Sequence, residues 1–123
     1  MRLVTEERPG TVYELRVLGT WPERLRGLLG TAPDAAPVML VRCRSIHTFG
    51  MGYALDVALV GERGEVLAVR RDLGPRATLS HPRACCVLER PASTEPWVEE
   101  GEHLRVTSLV LGFEGARAAG GEA

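Results

Sequence analysis

The stretch CRSIHTFGMGYALDV, Cys43 to Val57, decides how the chain folds. Ahead of it runs the apolar segment Val38 to Val41, and its own end opens the apolar run Ala54 to Val60. It therefore links two strands. Links of this kind are usually short and polar. This one carries a histidine, a threonine, an aromatic residue, a methionine and two glycines, and then sets Asp56 inside an apolar run. It is the centre around which the remaining elements are arranged.

Outward from that centre, Val38 to Arg42 and Ala54 to Val60 are buried strands, and Gly61-Glu62-Arg63-Gly64 is a hairpin turn into Glu65 to Arg71. Asp72 to Pro82 carries two prolines and a glycine and reads as irregular. Ala84 to Arg90 is a further strand and His103 to Leu111 the last. On the N-terminal side, Thr11 to Leu18 alternates as a strand does. Thr20-Trp21-Pro22-Glu23 is a capping box with proline in the first turn, followed by Trp21, Leu25, Leu28 and Leu29 on one helical face and Gly30 as the stop. A second short helix is predicted over Ser93 to Gly101. Six strands with two short helices and few links long enough for a helical crossover predict a mainly-β domain. Its form would be a small, curled, mostly antiparallel barrel or sandwich-like sheet, with a two-layer α+β arrangement as the alternative. Residues 1–112 form the single expected globular domain and 113–123 a flexible, Gly- and Ala-rich tail.

The chain has 123 residues, 45% of them apolar and 25% charged, which are ordinary globular values. Folding at this length buries roughly two-thirds of the unfolded surface, enough for a core without metal or disulfide staples. All 15 basic residues apart from histidine are arginine. A net charge of −1 opposes a basic nucleic-acid-binding surface. The charge is unevenly spread, with ten arginines against seven acids between Glu23 and Arg90 and two arginines against six glutamates from Pro91 onward. No leader-like or membrane-spanning apolar run occurs, and three cysteines, an odd number, suit reduced thiols. Together these predict a soluble cytoplasmic protein, monomeric or weakly dimeric, with no nucleic-acid or membrane partner.

The run Arg24 to Gly30, the link Ile46-His47-Thr48-Phe49-Gly50-Met51, the following Leu55-Asp56-Val57, the hairpin Gly64 to Leu67 and the strand Val87-Leu88-Glu89 resemble the bacterial and archaeal family catalogued as domain of unknown function 192. The resemblance spans about Val12 to Leu109. It departs from the family pattern at Thr31, at Gly52 and across Pro91 to Ser93. It implies a compact single-domain fold and supplies no activity.

Six residues are candidates for a site: Ser45, His47, Thr48, Met51, Asp56 and Glu89. A carboxylate at Asp56 must be paired or hydrogen-bonded, because a lone buried charge is too costly to keep. Either it accepts bonds from Ser45 or Thr48 and pins the link, or it forms a polar pair with His47 lining a pocket. Glu89 either pairs with an arginine such as Arg42 or Arg70 or supplies a second carboxylate to that pocket. Trp21 and Trp97 read as core residues over the sheet ends. No serine with an oxyanion-type turn is present, so a triad is not expected. Cys43 with His47 and His81 with Cys85 are each four residues apart, but neither spacing is the tight one that marks zinc, so no metal and no cofactor are expected. The leading reading is a non-catalytic binding or accessory module that holds a small polar ligand or peptide at the His47 to Met51 rim. The alternative is a small hydrolase-like enzyme using His47 with Asp56 or Glu89.

Overall fold

The computed structural model describes residues 1–109. The predicted end of the last strand at Leu111, the boundary at 112 and the tail 113–123 lie outside the described residues. Among the described residues there are ten strands, β1 (Arg2–Thr5), β2 (Arg8–Glu14), β3 (Arg16–Leu18), β4 (Val38–Val41), β5 (Ser45–His47), β6 (Leu55–Gly61), β7 (Val66–Leu73), β8 (Thr78–Ser80), β9 (Ala84–Pro91) and β10 (Leu104–Ser108), and one helix, α1 (Trp21–Arg26).

The apolar runs that read as buried strands form the middle of a five-stranded sheet in the order β3-β4-β9-β6-β7, antiparallel except for the β3–β4 pair. Every residue of β6 is buried, which is why the sequence there runs apolar without alternation. Both faces of this sheet are covered. Leu3 of β1, Tyr13 of β2 and Leu15 just beyond β2 pack with Ala58, Val60 and Leu88 on one face, which a three-stranded sheet in the order β10-β1-β2 covers. On the other face Leu28, Ile46 and Met51 pack on Leu40, Leu55, Val57 and Val87. That cover is made by Leu28 in the turn after α1, by Ile46 of the two-stranded ribbon β5–β8 and by Met51 in the link that follows β5. The domain is mainly β, and none of the sheets among the described residues closes into a barrel.

The capping box forms as written, with Glu23 N–H donating to Thr20 Oγ1 at 3.3 Å and Thr20 N–H donating to Glu23 Oε1 at 3.1 Å. The helix stops sooner than Gly30, at Gly27, whose φ is +54° and whose N–H closes on the Glu23 carbonyl. Only Leu28 of the leucine stripe is buried; Trp21 and Leu25 are 68% and 66% exposed. Trp21 is therefore not a core residue. With six residues the helix has too few turns to keep the whole stripe over the sheet, and the stripe splits between core and solvent.

The second predicted helix does not form. Pro96 has no N–H and biases Glu95 away from helical geometry. The carbonyls that helical amides would have taken are claimed by arginines instead. Arg71 donates to the Ser93 and Glu95 carbonyls, Arg90 to those of Glu95 and Pro96, and Arg8 to that of Trp97. Trp97 is core as expected, packed edge-on to Tyr13 with the Arg90 guanidinium 4.4 Å above its ring.

Candidate functional site

Asp56 and Glu89 lie on neighbouring strands but on opposite faces of the central sheet. Successive side chains of a strand alternate in direction. Val57 is opposite Glu89 in the register, whereas Asp56 is opposite Arg90. Asp56 consequently points to the face covered by the three-stranded sheet. There it is 1% exposed, paired to Arg90 Nε at 2.9 Å, with Arg71 at 3.6 Å. The backbone N–H groups of Asp72 and Ser93 donate to its two oxygens at 2.9 and 3.2 Å. Its partners are not Ser45 or Thr48, and it makes no pair with His47. The carboxylate is saturated and structural.

Thr48 is also structural. It is fully buried, donates to the Gly74 carbonyl at 2.7 Å and accepts from Ala77 N–H at 2.8 Å. With the Thr48 N–H bonded to the Ala77 carbonyl, it clamps the link to the segment read as irregular. That segment contains β8, whose Leu79 pairs with Ile46 in the ribbon. The alternation Thr78-Leu79-Ser80 was the available signal for a half-buried strand, too short to stand out between prolines.

The other four candidates, Ser45, His47, Met51 and Glu89, line one cleft of about 460 Å³ between α1 and the ribbon. Its floor is the central sheet, with Leu40, Leu55 and Glu89. Glu89 stands in a row between Val38 and Val57, both fully buried, and is itself 4% exposed. Among the described residues it makes no ion pair, with Arg42 and Arg70 both engaged elsewhere. Burial pushes its carboxyl up to about 7, eased only by the Leu28 backbone amide. Gly27 makes this close approach possible, since a Cβ there would stand 2.9 Å from Glu89 Oε1.

The wall from α1 is held by Arg42, which ends β4 at φ +52°. Arg42 donates to the Gly19 carbonyl at 2.8 Å and receives Arg24 Nη1 on its own carbonyl at 2.9 Å. The mouth carries four large apolar side chains beside Arg24 and Arg26. Trp21, Leu25, Leu29 and Phe49 are large, exposed and all line the cleft. The Phe49 ring lies 5.8 Å from that of His47. Sequence reasoning missed this rim because a helical leucine stripe reads as core. Among the described residues the two Cys/His pairs do not form a ligand cluster; the group that does is the exposed trio Glu6, Glu7 and His103.

No family model matches the chain, and no curated protein matches it. Two crystal structures share its fold. One is a protein of unknown function from Novosphingobium aromaticivorans DSM 12444, 17% identical, with a TM-score of 0.65 over 86% of this chain and 84% of that one. The other is a protein of Sinorhizobium meliloti 1021 provisionally named a transcription regulator, 21% identical, with a TM-score of 0.64 over 85% of this chain and 89% of that one. At these identities the likeness is one of fold alone.

Proposed function

We propose that the chain is a non-catalytic binding module whose cleft between α1 and the β5–β8 ribbon receives a small polar ligand or a peptide segment. One observation carries the reading: four large apolar side chains stand exposed around the mouth of a cleft whose floor holds a carboxyl with no side-chain partner among the described residues. Exposed apolar patches rimmed by polar groups mark interaction sites, and a mostly apolar cleft with a few convergent polar groups is the usual form of a ligand site. The test uses Trp21, which is exposed at the mouth while Trp97 is buried on the opposite face. A screen of sugars, organic acids, amines and short peptides by Trp21 emission and thermal shift should yield a ligand that adds about 2.7 kcal/mol at a hundred times its dissociation constant. Phe49→Asp should abolish that binding in a folded protein. A ligand bound equally well by Phe49→Asp, or a screen in which nothing moves Trp21, would overturn the reading.

The second reading is a hydrolase-like enzyme using His47 with Glu89, since both line the cleft and a carboxyl near 7 is suited to general acid work at neutral pH. Asp56, on the far side of the sheet, has no part in it. That reading requires a bell-shaped pH–rate profile that His47→Ala removes. We further propose membership of the domain of unknown function 192, on the Ile46 to Met51 run followed by Leu55-Asp56-Val57. A cytoplasmic location is supported by three free cysteines, and a monomer or weak dimer without nucleic-acid or membrane partners by the near-neutral charge. None of the helices among the described residues is long and apolar enough to cross a membrane.

A further inference from the structure

We propose that the cleft takes a lysine or arginine side chain of an extended peptide, with its aliphatic stem against Leu28, Leu40 and Leu55 and its charged end at Glu89. This deepens the reading of the cleft as a binding site and rests on it. Three observations select this occupant. The floor group is a carboxyl, and the groups immediately around it are apolar, so a long apolar stem ending in a cation complements it in both shape and charge. The exposed rim residues Trp21, Leu25 and Phe49 offer flanking peptide residues an apolar seat. Among the described residues each strand of the β5–β8 ribbon pairs only with the other, which leaves an edge beside the cleft for an extended backbone.

The titratable and charged groups facing the cleft besides Glu89 are Arg24 and Arg26 from α1, with Cys43 and His47 from the chain through β5; β8 contributes Thr78, Leu79 and Ser80, none of them titratable near neutrality. The two arginines disfavour a free amine at the mouth, so the flanking apolar contacts are needed to bring the cation in. Once there, it shifts Glu89 to its ionised form. Because the free carboxyl titrates at about 7, binding at pH 7 should release about half a proton.

The experiment titrates the full chain with acetyl-Leu-Lys-Leu-amide and with its norleucine counterpart, which keeps the stem and lacks the ammonium. Trp21 emission reads binding, and calorimetry in phosphate and Tris buffers reads proton release. At pH 8 the lysine peptide should bind at least about tenfold more tightly, the size of a charge-assisted contact. The preference should shrink as pH falls to 6 and vanish in Glu89→Gln. The wild-type pH dependence stands as evidence even if that variant misfolds. Equal binding of the two peptides at pH 8 would overturn the basic side chain as occupant and leave the binding module standing. A failure of both peptides to move Trp21, with some other ligand found in the screen, would overturn the peptide alone. Failure of every probe would overturn the module as well.

Discussion

Glu89 should make this protein less stable as the solution becomes more alkaline, and Glu89→Gln should remove that dependence. The carboxyl is held among Val38, Val57 and Leu28 with no countercharge among the described residues, and its titration moves from the ordinary 4.5 to about 7. Between those two pH values the native chain keeps a proton on Glu89 that the unfolded chain has lost. The free energy of unfolding therefore falls as pH rises through that window, and the full deficit is present above 7. At about 1.4 kcal/mol per pH unit the deficit is about 3 kcal/mol. Glutamine is neutral throughout and close in shape to the protonated acid, so the two proteins should melt together near pH 4. At pH 8 the variant should melt about 10 °C higher or more. Thermal unfolding of both proteins across pH 4 to 8 is the assay, read as the difference between them, so that every other titrating group cancels. A difference in melting temperature that stays constant across the range would refute the reasoning, because it would mean that Glu89 titrates alike in the folded and unfolded chain.

Three further outcomes follow from particular contacts. Asp56→Asn leaves Arg90 buried without its countercharge and should cost about 3 kcal/mol or more in urea unfolding, without altering Trp21 emission across the sheet; a loss below about 1 kcal/mol would mean the pair is dispensable. Gly64→Ala should cost about 2 kcal/mol, because φ is +83° and the new Cβ would lie 2.9 Å from the Leu104 carbonyl oxygen; an unchanged urea midpoint would show that the hairpin and the approach to β10 can shift freely. NMR titration of His103 should give a midpoint above 6.5, raised chiefly by its hydrogen bond to Glu7, and Glu7→Gln should bring it back down. What stability this pair contributes is present below the unfolded histidine value and is lost as pH rises through the raised one; Glu7, held low by the same contact, loses its share as pH falls.

The main strands were legible because long apolar runs have few other solutions. Val38 to Arg42, Ala54 to Val60 and Ala84 to Arg90 became β4, β6 and β9 within a residue or two. The Thr20 capping box was equally local and formed as written. Errors gathered where short segments depend on distant partners. β5 and β8 have three residues each and exist through pairing with one another, which neither announces alone. Ser93 to Gly101 has helix-capping residues, yet Arg8, Arg71 and Arg90 from elsewhere in the chain take its carbonyls.

The same division runs through the candidate site. Sequence alone determined that Asp56 and Glu89 sit within apolar strands, and that His47 and Met51 belong to an unusual link. A buried carboxylate obeys the same rule wherever it is, so the need for compensation could be inferred from neighbouring residues. Which carboxylate is compensated could not. Strand alternation sends Asp56 to the face where Arg90 and Arg71 wait and Glu89 to the face where Gly27 and Leu28 close over it. Register, and not composition, makes one a structural ion pair and the other the floor of a cleft, because a shift by one residue along a strand exchanges its two faces.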